Sequence, residues 1–162
     1  MNLMGSDQPN RKNIWSFIEG FPQESSDILD ARQAAEELGV DTVSPHTVDL
    51  LRILAASTHA QNVLEVGTGT GVTTLALLQG MDAGSALTTI DIDNSRLQRG
   101  RDLIQRSPHG RRHRVRTICG DVAEVLPRLS LGSYDLALVD ISASVVEYSV
   151  LKCLSVSYTH LT

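Results

Sequence analysis

Acidic side chains recur at the ends of four short apolar runs in this sequence. Each acid comes at the last apolar residue of its run or within two residues of it: Glu65, Asp91, Asp121 and Asp140. An ionised carboxylate accepts hydrogen bonds from hydroxyl and amine groups and attracts positive charge. The four acids together predict a site for a ligand that carries both hydroxyl groups and a cation.

A glycine-rich turn follows the first of these acids. Gly67, Gly69 and Gly71 let the backbone turn sharply and let a ligand approach it closely. Such turns also occur in dinucleotide-binding proteins, whose fingerprint is G-x-G-x-x-G/A. Here Val72 stands at the third glycine position, and the charge of Glu65 would repel a pyrophosphate. The turn therefore favours a ligand with an ammonium and a sulfonium group.

Two further acids predict how such a ligand would be held. Asp91 ends the second apolar run, where a carboxylate can accept hydrogen bonds from the vicinal hydroxyls of a ribose. Asp121 can face the exocyclic amine of an adenine, with Val122 against the ring. Asp121 can equally cap the helix that follows, and both roles can hold. Ammonium, sulfonium, ribose and adenine together describe S-adenosylmethionine.

The elements that must position these acids alternate between strands and helices. Apolar runs predict strands over 62–66, 86–90, 114–118 and 134–139, with helices over 71–79, 95–105 and 123–129. Helical pieces are also predicted ahead of them, over 15–21, 27–38 and 45–57. This alternation predicts an α/β fold with a parallel sheet, whose ligands bind beyond the carboxyl ends of the strands.

Composition excludes several classes of protein. Hydrophobic residues make up 41% and charged residues 20% of the 162-residue chain, which excludes disorder, and the formal net charge of −5 argues against a nucleic-acid partner. The basic cluster over 111–116 is interpreted as a solvated loop leading into a strand. Two cysteines without metal-ligand spacing, and no run of about 18 apolar residues, predict a cytoplasmic protein with no membrane partner. Trp15 and Tyr148 are interpreted as packing residues.

The stretches VLEVGTGTG, LTTIDID, GDVAEVLPRL and YDLALVD resemble the motifs of class I S-adenosylmethionine-dependent methyltransferases. Within that class, the chain resembles the O-methyltransferases that include the catechol and caffeoyl-CoA enzymes, and among them the actinobacterial members. The resemblance runs from about residue 14 to residue 154. It implies a Rossmann-like fold, of which strands 1–4 are present here, and methyl transfer to a hydroxyl of a small-molecule acceptor.

The resemblance also implies roles for individual residues. It implies cofactor contacts by Glu65, Gly67, Thr68, Gly69, Gly71, Thr73, Asp91, Asp121, Val122 and Asp140. The Thr73 hydroxyl would reach the cofactor carboxylate. Asp140 would lie beside the methyl donor as the catalytic residue, and in metal-dependent members this position ligates a divalent cation such as Mg²⁺. Ser142 stands where those members often have a second aspartate, so the metal site is left open.

Other functions remain open at this point. An N-methyltransferase or an aminopropyltransferase would use the same fold and cofactor, and a non-catalytic S-adenosylmethionine-binding remnant would keep only the cofactor site. An NAD(P)-dependent oxidoreductase is disfavoured by Glu65 and Val72. By resemblance, the helices over 14–38 would form part of the acceptor pocket or a homodimer surface.

Three segments are expected along the chain. Residues 1–42 form a polar segment with helices, and residues 43–155 form an S-adenosylmethionine-binding domain that ends before its last strands. The tail over 156–162 reads VSYTHLT, which reverse-translates into a transposon-end sequencing adapter and is expected to be non-native. Without a fifth strand the fourth would expose an apolar edge, so we expect the chain as written to be inactive.

Overall fold

A parallel four-stranded sheet forms the centre of the protein. The computed structural model describes residues 11–130, 132–141, 149–150 and 153. The strands lie in the order β3-β2-β1-β4 and span Asn62–Val66 (β1), Ala86–Asp91 (β2), Arg114–Cys119 (β3) and Leu136–Val139 (β4). Parallel pairing places the carboxyl ends of all four strands at one edge of the sheet. The predicted α/β fold with a parallel sheet is confirmed.

Helices flank the sheet and precede it. Their bounds are Arg11–Gly20 (α1), Ser26–Glu37 (α2), Pro45–Ser57 (α3), Val72–Gly80 (α4), Asn94–Arg106 (α5), Pro108–Arg112 (α6) and Val122–Val125 (α7), with a 3₁₀ turn over Leu126–Arg128. Gly39, at a φ of 63°, ends α2, and the Ser44 side chain caps the first turn of α3. Only residues 40–43 lie between Gly39 and Ser44, the residues that bound the connection from α2 to α3.

The sheet is covered on both faces because its strands alternate. Val63 packs into a cluster with side chains of α2, α3 and α4, whereas Leu64 and Val66 pack on the other face against Leu126 and Ile90. Helix α4 is buried from Val72 to Leu78, as expected of a helix that is apolar all round. The first core cluster therefore fixes the helix that begins at the glycine turn.

Two element predictions differ from the structure. Residues 108–112 form helix α6 where a loop was expected, because Ser107 caps it and Pro108 occupies its first turn. Residues 123–129 were expected to form one helix, but α7 is short and gives way to the 3₁₀ turn that contains Pro127. The arginines of the 111–116 cluster lie exposed on α6 and β3.

Aromatic side chains of the first helix face solvent. Trp15 is 61% exposed, so its interpretation as a packing residue is wrong, and Phe17 contacts Phe21 with ring centroids 5.7 Å apart. Tyr148, Ser142 and the tail over 156–162 lie outside the described residues. Among the helices that are described, none is both long and apolar enough to span a bilayer.

Candidate ligand-binding site

A cavity of about 420 Å³ opens at the carboxyl ends of the strands. Its volume falls within the usual range for small-molecule sites, and its position is the one that parallel sheets use for ligands. Of the ten residues predicted to contact a ligand, eight line it: Gly67, Thr68, Gly69, Thr73, Asp91, Asp121, Val122 and Asp140. Glu65 and Gly71 do not line the cavity.

The glycine turn lies against the end of the fourth strand. Gly67 adopts a φ of 101°, and a Cβ atom built on it would lie 2.0 Å from the carbonyl oxygen of Asp140. Gly69 adopts a φ of 51°, and a Cβ atom there would have no neighbour within 4 Å. Gly67 thus permits close contact with the segment after β4, while Gly69 presents open backbone to the cavity.

Glu65 lies beneath this turn rather than on the cavity wall. Its side chain is fully buried, and its two carboxylate oxygens accept hydrogen bonds from the hydroxyls of Thr73, at 2.6 Å, and Thr74. Burial raises the pKa of Glu65 to about 7, against the opposing effect of the threonine hydroxyls. The carboxylate therefore links β1 to the first turn of α4.

This arrangement changes what Thr73 can do. A hydroxyl has one proton, and that of Thr73 is donated to Glu65 although the residue also borders the cavity. The implied hydrogen bond from Thr73 to a ligand carboxylate would require that proton. In this structure the hydroxyl can only accept from a ligand while Glu65 is its acceptor.

Asp91 connects the glycine turn to the end of β2. Its Oδ2 accepts a hydrogen bond from the backbone N–H of Gly69 at 2.7 Å, and its Oδ1 accepts from the N–H of Asp93 at 2.9 Å. A carboxylate oxygen can accept a second hydrogen bond, so Asp91 keeps acceptor capacity toward the cavity. Asp93 caps α5 by accepting from the N–H groups of Ser95 and Arg96.

Asp121 and Val122 border the cavity after the third strand. Asp121 caps α7 by accepting from the backbone N–H of Ala123 at 2.8 Å, so the capping role that was left open is present. Val122 is half-buried against the core cluster that contains Leu126. The two residues are held in place independently of any ligand, and adenine contact stays a prediction.

Asp140 follows β4 and completes the row of acids. Its backbone N–H donates to the carbonyl oxygen of Val66 at 2.8 Å, which continues the β1–β4 pairing to the cavity edge. Partial removal of water raises the pKa of its carboxyl. Within the part of the chain that is described, no group of three or more His, Cys, Asp or Glu side chains could hold a metal ion.

One wall of the cavity and one cationic side chain that lines it were not predicted from the sequence. Residues 40–43 line it opposite the strands, and so does Arg96, whose Nε lies 3.3 Å from Asp93 Oδ2. The stops at Gly39 and Ser44 were readable and define this short loop, but nothing in its composition indicates a binding role. Its place at the cavity arises from the packing of α2 against α4 and α5.

The charges around the cavity are mainly negative. Four carboxylates border it, those of Asp41, Asp91, Asp121 and Asp140, against the single guanidinium of Arg96 among the described lining residues. Clefts lined by one sign of charge concentrate ligands of the opposite sign. The arrangement can bind a polar ligand with a cationic centre and hydroxyl groups.

Comparison with known proteins identifies relatives of this chain. Residues 64–161 match the model of a family described as a methyltransferase domain. A probable O-methyltransferase of Mycobacterium tuberculosis is 38% identical over 140 residues, which cover 86% of this chain and 62% of that protein. A putative O-methyltransferase of Mycobacterium marinum is 39% identical over 137 residues, which cover 84% of this chain and 61% of that protein. The chain thus spans about three fifths of these relatives.

Solved structures share the same fold. The O-methyltransferase TomG of Streptomyces achromogenes, in complex with SAM, superposes with a TM-score of 0.79 at 21% identity, over 96% of this chain and 70% of that one. An O-methyltransferase of Bacillus cereus, in complex with SAH, gives a TM-score of 0.76 at 22% identity, over 88% and 66% of the two chains. At these identities the likeness concerns the fold.

Proposed function

This chain belongs to the methyltransferase-domain family, and on that premise we propose that it binds S-adenosylmethionine in the cavity and that this site serves methyl transfer to a hydroxyl of a small-molecule acceptor. The observation that carries the proposal is the set of four aspartates that line a cavity to which Gly69 presents open backbone. A sulfonium and an ammonium are attracted to these carboxylates, whereas a pyrophosphate is repelled. The cofactor complexes of the two structural neighbours support this choice.

The described residues fit the parts of that cofactor. The unused acceptor capacity of Asp91 suits the two hydroxyls of a ribose, and the open backbone at Gly69 suits close approach of the methionine part. Asp121 and Val122 suit the polar edge and the flat face of an adenine. Glu65 acts from beneath, by holding the first turn of α4 through Thr73 and Thr74.

The chemical contribution of the chain is mainly one of position. Bound S-adenosylmethionine supplies an electrophilic methyl group, and the protein raises the rate by holding donor and acceptor in a reactive arrangement. Asp140 is the proposed catalytic residue, because its carboxylate borders the cavity and can accept the proton of an acceptor hydroxyl. Its raised pKa brings it closer to the range that suits a general base.

A divalent metal is not part of the proposed reaction. Hard cations such as Mg²⁺ require several oxygen ligands, and Asp140 has no companion set of acidic or histidine ligands within the described residues. We therefore derive no step through a metal ion.

The exposed side of α1 supports a homodimer. Five apolar side chains here are each at least 40% exposed: Ile14, Trp15, Phe17, Ile18 and Phe21. A second copy of the chain would remove their apolar surface from water. Sedimentation equilibrium tests this: a monomer at micromolar concentration would contradict it.

The free thiols of Cys119 and Cys153 support a reducing, cytoplasmic setting.

Calorimetric titration with S-adenosylhomocysteine and NAD⁺ in turn tests the cofactor assignment. We expect saturable binding of S-adenosylhomocysteine and no heat from NAD⁺. The variant D91N should lose most of that binding, because an amide has one acceptor oxygen for the two backbone N–H groups of Gly69 and Asp93, so its NH2 group must face one of them. D102N is the matched control, since Asp102 is exposed on α5 away from the cavity. If folded wild-type protein binds no S-adenosylhomocysteine, the proposed function is wrong.

A further inference from the structure

The guanidinium of Arg32 joins α2 to residues 40–43, which we call the loop wall of the cavity. Its Nη1 donates hydrogen bonds to Thr42 Oγ1 and to the carbonyl oxygen of Val43, both at 2.7 Å. Thr42 and Val43 line the cavity, whereas Arg32 itself does not. Arg32 therefore bears on the site only through this wall.

The opposite side of the guanidinium is held by Glu24. Nε and Nη2 of Arg32 donate to the two oxygens of Glu24 at 2.6 and 2.7 Å, in a bidentate pair. The two side chains are only 20% and 6% exposed, so water competes weakly for these contacts. With four N–H groups of Arg32 engaged, its planar head has one orientation, which a lysine ammonium cannot reproduce.

The backbone of the loop wall has little support of its own. Within the described residues, Val40 is its only member whose backbone N–H has a backbone partner, the carbonyl oxygen of Ala35 at 2.9 Å. Asp41 and Thr42 are exposed. Beyond Val40, the wall is held by the packing of Val43 against the first core cluster and by the two hydrogen bonds from Arg32, which are the polar contacts that reach Thr42 and Val43.

The residue before Arg32 holds the facing wall. Thr70, in the glycine turn, donates through its hydroxyl to the carbonyl oxygen of Ala31 at 2.8 Å, and both residues are buried. Consecutive residues of α2 thus contact the glycine turn and the loop wall. Both walls are therefore anchored to the same turn of this helix.

We propose that Arg32 is a positioning residue that holds the loop wall at the distance from the glycine turn that the bound cofactor requires. It contacts no ligand, and its effect is carried by Thr42 and Val43. Its effect on cofactor affinity rests on the proposed function, whereas its effect on the order of the wall does not.

The test compares R32K with R99K in the full chain. Arg99 also forms an ion pair with α2, to Glu37 at 3.3 Å, but both side chains are about half exposed and neither lines the cavity. Backbone ¹⁵N order parameters of Asp41 and Thr42 report the wall, and calorimetry reports the dissociation constant of S-adenosylhomocysteine. E24Q is a second variant that acts on the wall only through Arg32, and it is used if R32K does not fold.

We expect R32K to lower the order parameters at Asp41 and Thr42 from rigid values of about 0.85 toward about 0.6. We expect its S-adenosylhomocysteine affinity to fall about tenfold, as for the loss of one charge-assisted hydrogen bond, with R99K unchanged. Unchanged order parameters in a folded R32K or E24Q protein would overturn the proposal, as would a loosened wall with unchanged affinity. If the wild type binds no S-adenosylhomocysteine, the proposed function fails, and the order parameters alone decide the role of Arg32.

Discussion

The hydroxyl of Thr73 donates a 2.6 Å hydrogen bond to the carboxylate of Glu65, and both side chains are buried. The acid in the glycine motif is therefore engaged within the protein, between the strand before the turn and the helix after it. Thr74 donates to its other oxygen. A residue that reads as a ligand contact in the sequence thus also determines where α4 begins.

The pKa of Glu65 predicts a specific dependence of stability on pH. Because its pKa is about 7 in the folded protein against 4.5 as the ordinary value, the folded state binds more protons between these limits. Its contribution to the free energy of unfolding is full below pH 4.5 and is lost as pH rises through 7. The loss amounts to about 3 kcal/mol at most. Urea denaturation of wild type and E65Q at several pH values measures it, and parallel curves would contradict the assignment.

Removal of a hydroxyl beneath the turn should destabilise the fold. T74V deletes a donor to a buried carboxylate while keeping the shape of the side chain, and Thr74 does not line the cavity. We expect a loss of about 2 kcal/mol in the free energy of unfolding at pH 8, and less at pH 5, where Glu65 is neutral. T74S keeps the hydroxyl and serves as the control. An equal loss at both pH values would show that packing, not the charge of Glu65, is responsible.

Gly67 should not tolerate a side chain. The Cβ atom of G67A would lie 2.0 Å from the carbonyl oxygen of Asp140, so β1 and the segment after β4 would have to separate. G84A is the matched control, because Gly84 has a similar φ of 89° and open space around its Cβ position. We expect G84A to cost about 1 kcal/mol from backbone strain and G67A about 3 kcal/mol. Thermal denaturation of the two variants gives the comparison, and equal losses would refute the role of the contact.

Asp140 should distinguish the charged cofactor from its neutral product. S-adenosylmethionine carries a sulfonium that S-adenosylhomocysteine lacks, so D140N should weaken binding of the first more than binding of the second, by about tenfold. The preference should also weaken as pH falls, since the pKa of Asp140 is raised. D121N is the control, because Asp121 borders the cavity elsewhere. Equal losses for both ligands, measured by calorimetry, would place the sulfonium away from Asp140.

Much of the fold was predictable because its local patterns agree with its final packing. Strands β1 and β2 are buried over most of their length, and apolar runs bounded by turn residues reveal such strands. Helix α6 was missed although Ser107 and Pro108 repeat the Ser44–Pro45 start of α3. The arginines that begin within α6 and continue into β3 favoured a loop, since charge indicates exposure without indicating backbone conformation.

The sequence by itself determined the order of elements, the glycine turn and the row of acids at the strand ends, because these follow from periodicity and from residue types at fixed spacing. Tertiary structure alone decided which of those residues border the cavity. Successive residues of β1 alternate between the two faces of the sheet, and Glu65 is one of them. Its burial depends on Thr73 and Thr74 of the next helix. The loop wall and the role of Arg32 could not be predicted either, since their place at the site comes from the packing of α2 against α4 and α5, which linear spacing does not show.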